Sequence, residues 1–179
     1  IIREGRRAGE IIRGLQALTR NQASELAPAS LHVITRDIIG LSRLELERRA
    51  VALELDLAAQ GDAIMCQSVQ IQQVMLNLAI NAIEAMGNNK GSRTLKISSW
   101  NPSEDVIRIE VADSGTGLSD EVIDKIFDSF YTTKPEGMGM GLTISHAIIK
   151  RHGGILSAEN RPEGGSLFWF TLPLITQSD

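Results

Sequence analysis

The chain has one cysteine, Cys66, among its 179 residues. No intrachain disulfide can form, so the composition fits a reducing compartment, and we expect a cytoplasmic location. Cys66 lies beside Met65 in an apolar stretch, which is typical of a small core residue and not of a reactive nucleophile.

Long apolar runs are missing as well. No run approaches the roughly 18 residues that indicate a membrane span, and no signal peptide is present. The chain starts at Ile1, without methionine, inside a helical pattern. We therefore expect a piece of a longer protein, whose remainder leaves room for sensor domains or a membrane anchor.

Basic residues are not in excess. Lys and Arg number 18 against 22 Asp and Glu, giving a formal net charge of -4. A nucleic-acid binder would need a basic face, so we expect no nucleic-acid partner. A polyanionic ligand would have to be held by local donors. Hydrophobic residues at 42% and charged residues at 22% are ordinary for one globular domain with a short appendage.

The pattern divides the chain into three parts. Residues 1–20 predict an amphipathic helix, residues 21–30 a linker containing Pro28, and residues 31–179 the main domain. A single short helix cannot bury its apolar stripe alone. We expect it to pair with a helix outside this sequence or with a partner chain. The alternative is that it packs on the main domain.

Periodicity predicts the elements of the main domain. Helices are expected at 31–49, from a Ser68 cap to about 86, shortly after Ser119, and at 141–152. Strands are expected at 51–57 and 63–66, in a hairpin of 94–100 and 106–112 with its turn at 101–103, and in a second hairpin of 155–160 and 166–172. This order predicts an α+β two-layer sandwich, with one mixed sheet covered on one face by helices.

Two asparagines mark the second of these helices. Asn77 and Asn81 are four residues apart and share a face, which we expect to point toward the sheet. Carboxamides in such a place are costly unless they are satisfied, and a metal bridged to phosphates would satisfy one. A lone Asn would favour a structural role. The pair, together with two glycine boxes, favours a nucleotide-binding role. The expected packing residues around it are Leu76, Leu78, Ile80 and Ile83.

The first glycine box follows a strand and reads Asp113-Ser114-Gly115-Thr116-Gly117. A carboxylate at a strand end can accept a hydrogen bond from an exocyclic amine such as that of adenine. Glycine lets the backbone approach a flat base. Alone, the box would be an ordinary turn.

The second glycine box, Gly137-Met138-Gly139-Met140-Gly141-Leu142, opens a helix, where free amides and the helix dipole favour phosphate. It is neither a P-loop nor a dinucleotide fingerprint. The preceding segment supplies Phe127 and Phe130 as possible anchors of a mobile lid over 129–140, and Lys134 as a cation.

Together these segments resemble the catalytic and ATP-binding domain of sensor histidine kinases, in the Bergerat-fold superfamily of DNA gyrase, mismatch-repair ATPases and heat-shock chaperones. The resemblance covers roughly 31–174. It implies ATP and Mg²⁺ as cofactors, with Asn81 as the metal ligand and Asn77 beside it. It also implies a base site and a phosphate site. The base site comprises Asp113, Gly115, Gly117 and the Ser166 hydroxyl, and the phosphate site Lys134, Gly139, Met140, Gly141 and Leu142. Asn77, Asn81 and Lys134 would serve catalysis.

The same resemblance implies a homodimer in the intact protein through an N-terminal helical hairpin, of which residues 1–20 would be the second helix. It implies a response regulator receiver domain as partner. None of His32, His146 and His152 is followed by an acidic residue, so we expect all three to be structural and the phosphoacceptor helix to be missing. Two alternatives stay open: an ATP-binding module that is inactive alone, and a serine kinase of the anti-sigma type. An ATP-hydrolysing clamp of the gyrase or chaperone type is disfavoured, because it needs a Glu as general base at the position that Asn77 occupies.

Overall fold

The computed structural model describes residues 25–87, 91–132 and 139–175. The predicted N-terminal helix, Lys134, Gly137 and Met138 lie outside these residues. The elements along the chain are four helices, α1 to α4, and seven strands, β1 to β7, within the described residues. In order they are β1 (Ala27–Ser30), α1 (Leu31–Arg48), β2 (Ala52–Leu57), β3 (Ala63–Cys66), α2 (Ser68–Ala85), β4 (Thr94–Ser103), β5 (Val106–Asp113), α3 (Asp120–Lys125), α4 (Gly141–Arg151), β6 (Ile155–Asn160) and β7 (Ser166–Pro173).

Five strands form one mixed sheet in the order β2-β4-β5-β7-β6. The β2–β4 pair is parallel, and the other neighbours are antiparallel. Alternate residues of the central strands point inward and are buried, among them Ile107, Ile109 and Phe170. Their neighbours Arg108 and Trp169 are only partly buried, and the guanidinium of Arg108 lies 4.0 Å from the Trp169 ring centroid. The predicted α+β sandwich, with a mixed sheet and helices on one face, is confirmed.

The apolar stripe of α2 makes the centre of the helical layer. Val74, Met75 and Leu78 are fully buried, and α2 packs between α1 and α4. Leu76 is 39% exposed, so its predicted place in the core is wrong. Cys66 is buried, and burial raises the pKa of its thiol even though a hydrogen bond with Ser68 acts to lower it. Its role as a core residue is therefore consistent with the structure.

Two local features differ from the prediction, because they depend on tertiary contacts that the sequence does not display. The predicted linker ends in a strand, β1, which pairs antiparallel with β3 outside the main sheet. The turn of the first hairpin lies at Glu104-Asp105 and not at 101–103, because β4 continues through a bulge after Trp100. Asn101 stabilises this extension, since its Nδ2 donates to the carbonyl oxygens of Gly61 and Val106.

The start of α2 also differs from the prediction. Its N-cap is Gln67, without a side-chain capping bond, and Ser68 is the first helical residue. The Gln67 backbone N–H donates instead to His152 Nε2 at 3.1 Å, while His152 Nδ1 lies 2.8 Å from the Ile148 carbonyl oxygen. A backbone N–H can only donate and a carbonyl oxygen can only accept. The His152 ring therefore carries its hydrogen on Nδ1, with Nε2 as the acceptor. It joins the end of α4 to the start of α2, which fits a structural histidine.

Asp62 joins the start of α1 to the loop before β3. Burial acts to raise the pKa of its carboxyl, but hydrogen bonds from the Ser30 hydroxyl and the His32 backbone N–H, with the charges of His32 and Arg36, lower it overall. Ser30 also caps α1, since its Oγ accepts from the Val33 N–H at 3.1 Å. The ionised carboxylate therefore stabilises this corner of the fold.

We expect Asp62→Asn to lower the free energy of unfolding by about 1–3 kcal/mol at pH 7, the cost of losing hydrogen bonds to a charged acceptor. A carboxyl whose pKa is depressed by folding contributes stability above its unfolded pKa and loses it as pH falls through the folded value. The gap between wild type and variant should therefore close below about pH 4. Urea unfolding from pH 7 to pH 3 measures this. A gap that is constant over that range contradicts the role of the charge.

Candidate functional site

Asp113 ends β5 with its side chain 0% exposed. Its Oδ1 accepts from the backbone N–H of Gly115 at 2.7 Å and of Ser166 at 3.3 Å. Its Oδ2 accepts from the Ser166 hydroxyl at 2.5 Å. A carboxylate has about four acceptor positions, so three are used within the protein and one on Oδ2 remains for an amine. Because Asp113 is fully buried in this structure, a nucleobase would contact this position only after a local rearrangement.

The turn between β6 and β7 holds the first glycine box in place. Asn160 pairs with the backbone of Leu118 in both directions: its Oδ1 accepts from Leu118 N–H at 2.8 Å, and its Nδ2 donates to Leu118 O at 2.6 Å. Arg161 Nη1 donates to the Asp113 carbonyl at 2.9 Å. A hydrogen bond from Arg161 lowers the pKa of Glu163, so this carboxylate stays ionised and holds the guanidinium. The loop that carries Gly117 is thus held at both ends, at the Asp113 carbonyl and at Leu118.

The asparagine pair lies at the junction of α2 and α4. Asn77 Nδ2 donates to Ser145 Oγ at 3.0 Å, and Asn81 Nδ2 lies 3.5 Å from Asn77 Oδ1. Both side chains are partly buried. The sheet-facing position predicted for them is wrong: that stripe of α2 is apolar, because a carboxamide there would lose its hydrogen bonds with water.

The second glycine box brings α4 against this pair. A Cβ atom on Gly141 would stand 2.6 Å from Asn77 Oδ1, so only glycine fits there. Gly139 has φ +64°, and a Cβ there would lie 2.4 Å from Tyr131 O. Both positions require glycine for physical reasons, one for close approach and one also for a left-handed backbone.

The start of α4 carries no side-chain cap among the described residues. Its N-cap is Met140, and the first helical bond runs from Ile144 N–H to Met140 O. The helices α1 and α3, in contrast, are capped by Ser30 and Ser119. Amides of Gly141 and Leu142 at an uncapped helix start are the donors that an anion needs.

The segment before α4 is only partly described. Phe127 packs against the core and stacks on His146, with ring centroids 5.4 Å apart. Phe130 is 76% exposed with φ +67°, so its side chain does not anchor the loop as predicted. Its backbone N–H does so instead, by donating to Gly139 O at 3.1 Å. Lys134 lies outside the described residues, and its role stays a prediction.

The fold therefore brings the two glycine boxes against the C-terminal half of α2, which carries the asparagine pair. A Cβ on Gly115 would lie 2.8 Å from Ala85 O, at the end of α2, while Gly141 meets Asn77 four residues before Asn81. Sequence reasoning missed Ser145, Asn160 and Arg161. A serine in the apolar stripe of α4 was a detectable signal, because a buried hydroxyl needs a partner. Asn160 and Arg161 carried none, since their partners are 42 and 48 residues away.

The chain is similar to proteins of known family. Residues 66–176 match the family described as histidine kinase-, DNA gyrase B-, and HSP90-like ATPase. The sensor protein FixL of Bradyrhizobium diazoefficiens is 40% identical over 167 residues, which cover 93% of this chain and 33% of FixL. The sensor histidine kinase TmoS of Ectopseudomonas mendocina is 38% identical over 176 residues, covering 97% of this chain and 18% of TmoS. The chain thus spans a third or less of these relatives.

Two solved structures extend the comparison. The catalytic domain of the histidine kinase ThkA has a TM-score of 0.74 at 32% identity, and the match covers 83% of this chain and 95% of that one. ThkA in complex with the response regulator TrrA gives a TM-score of 0.78 at 28% identity, covering 95% of this chain and 48% of that one. The chain therefore belongs to the histidine kinase-, DNA gyrase B- and HSP90-like ATPase family, whose shared ligand is ATP.

Proposed function

We propose that this chain is the ATP-binding kinase core of a two-component sensor histidine kinase. It positions Mg-ATP so that the γ-phosphoryl group passes to a histidine on a dimerisation helix, and from there to an aspartate of a response regulator. The observation that carries the proposal is a single one. An amine acceptor, an uncapped helix start and a pair of carboxamides all lie along the C-terminal half of α2.

Each part has a distinct task in this proposal. Asp113 accepts from the adenine amino group through its remaining Oδ2 position, with Gly115 and Ser166 keeping the carboxylate in place. Gly117, in the same glycine box, lets the backbone approach the base. The amides of Gly141 and Leu142 donate to phosphate oxygens, and Gly139 and Met140 set the path of the loop that enters the helix. Lys134 adds positive charge. Phosphoryl transfer depends mainly on such positioning and charge neutralisation.

The oxygen atoms near the proposed phosphate site fit Mg²⁺. The described residues contain no group of three or more His, Cys, Asp or Glu side chains that could hold a metal ion. A carboxamide oxygen of Asn81, completed by phosphate and water oxygens, is the kind of shell that Mg²⁺ takes beside a nucleotide. Bound there, the ion would neutralise charge that develops on the phosphoryl oxygens.

Asn77 separates this proposal from an ATPase of the clamp type. Activation of water needs a general base, and a carboxamide cannot take up a proton at neutral pH. The Nδ2 of Asn77 is moreover directed at Ser145. The proposed acceptor is therefore an imidazole of another helix, which is a nucleophile in its own right, and not water.

The partners follow from the same proposal. Two copies of the intact protein would dimerise through the helical hairpin that includes residues 1–20, and a receiver domain would take the phosphoryl group. The structure of ThkA with TrrA supports this choice of partner, since it joins a histidine kinase with a response regulator. No helix among the described residues has the length and hydropathy of a membrane span. We propose a cytoplasmic location because ATP and a reduced thiol belong there.

The test is phosphotransfer in trans. The 179-residue chain, given labelled Mg-ATP alone, is expected to bind nucleotide and to acquire no stable label, because none of its histidines has the acceptor context. Adding a dimeric protein that carries the acceptor helix should allow transfer. The rate will be lower than in one chain, since tethering raises the effective concentration to the millimolar range or so.

Three results would contradict the proposal in different ways. Stable label on His32, His146 or His152 would mean that the acceptor is present. Rapid release of phosphate into solution would favour the ATPase. Binding of ATP without transfer to any acceptor helix would leave an ATP-binding module without kinase activity.

A further inference from the structure

Ser145 is a polar residue in the buried face of α4. It is 1% exposed and lies one turn before Ile148 and Ile149, which are also buried. Its Oγ donates to the Gly141 carbonyl at 2.9 Å and accepts from Asn77 Nδ2 at 3.0 Å. The hydroxyl therefore touches both the start of α4 and the asparagine pair.

The direction of these bonds is determined by chemistry. A hydroxyl has one hydrogen, and the Gly141 carbonyl can only accept it. The lone pair of Ser145 that faces Asn77 must then receive an N–H, so Asn77 presents its NH₂ group to Ser145. Its oxygen lies beside Gly141 and toward the NH₂ group of Asn81. The Nδ2 of Asn81 lies 3.5 Å from that oxygen and donates a long, weak hydrogen bond to it. The carboxamide oxygen of Asn81 consequently points away from Asn77.

We infer that Ser145 is a positioning residue that sets the orientation of the Asn77–Asn81 pair, and through it the oxygen that Asn81 offers to Mg²⁺. The inference rests on the proposed function, because it needs the pair to lie at the metal and phosphates. Ser145 touches neither nucleotide nor metal. It also links this orientation to the first turn of α4, where Gly141 supplies an amide.

The chain contains a matched control. Ser42 is buried in α1, 4% exposed, and its Oγ donates to the Ile38 carbonyl at 2.9 Å, which is the same bond four residues back. Ser42→Ala therefore removes an equivalent buried hydroxyl and backbone bond on a helix that carries neither Ser145 nor the asparagines. Any effect that Ser145→Ala has beyond this control reports the contact with Asn77.

The test measures the dissociation constant of ATP for the 179-residue chain by calorimetry, with Mg²⁺ and with EDTA. The ratio of the two constants is the magnesium enhancement. We expect Ser145→Ala to lower this ratio about three- to tenfold, the effect of one misdirected buried hydrogen bond. Binding in EDTA should change less than about twofold, given that no nucleotide contact is removed. Ser42→Ala should leave the ratio unchanged, and Ser145→Thr, which keeps the hydroxyl, should restore most of it.

The possible outcomes distinguish a failure of the Ser145 inference from a failure of the proposed function. An equal loss in Mg²⁺ and in EDTA would show a merely structural role and overturn the inference, as would an unchanged ratio. Absence of ATP binding by the wild type would instead overturn the proposed function, and the inference with it. If Ser145→Ala does not fold, NMR of the wild type decides. Contact between the Asn77 side-chain NH₂ and the Ser145 β-protons supports the inference, and an inverted amide overturns it.

Discussion

Asn81→Ala is expected to abolish phosphotransfer in the trans assay while the protein stays folded. Asn81 is partly buried and its Nδ2 faces Asn77, so truncation removes no apolar contact of the core stripe. A metal ion contributes several kcal/mol to the stabilisation of a phosphoryl-transfer transition state. Its loss should lower the rate about a thousandfold or more, since each 1.36 kcal/mol is a factor of ten.

The matched control is Gln73→Ala on the same helix. Gln73 is also a partly buried carboxamide, two turns before Asn81 and nearer the end of α2 that contacts His152. It should retain the wild-type rate and magnesium dependence. Normal phosphorylation of the acceptor by Asn81→Ala in magnesium would mean that another residue holds the metal.

Asp113→Asn is expected to weaken ATP binding about tenfold or more, as the loss of a buried hydrogen-bond partner costs about 1–3 kcal/mol. The remaining oxygen of the new side chain can still accept from the Gly115 and Ser166 N–H groups, and the Ser166 hydroxyl can rotate to accept. The fold should therefore survive. The new NH₂ group, however, would face the adenine amine as donor against donor.

The same substitution should change which base is preferred. Inosine carries an oxygen where adenine carries its amine, so the NH₂ of the variant can donate to it. We expect ATP affinity to fall and ITP affinity to rise, so the ratio of ATP to ITP affinity should fall by more than the ATP affinity alone. Asp56→Asn, on the exposed outer face of β2, serves as the control and should leave both affinities unchanged. Equal ATP affinity in Asp113→Asn and wild type, measured by calorimetry, would reject Asp113 as the base acceptor.

Local patterns in the sequence were sufficient for most of the secondary structure. Alternation placed β5 and β7. A 3.6-residue period placed α1, α2 and α4 to within about two residues of their observed ends, and a following glycine also marked the ends of α2 and α4. These signals depend on neighbours in the chain, and a half-buried strand or helix must show them. Phe130 escaped the same reasoning, because an aromatic side chain is usually buried, whereas here only its backbone N–H holds the loop.

What the sequence determined by itself was the order of the elements, the α+β class and the residue types of the candidate site. These follow from local periodicity and from motifs whose members lie within a few residues of one another. Tertiary structure alone decided which way the carboxamides point and what holds Asp113. Asn77 faces Ser145, 68 residues later, and Asp113 is held by Ser166, Arg161 and their turn, about 50 residues later. Hydrogen-bond direction depends on partners brought together by packing, and packing between distant segments leaves no periodic trace in one sequence.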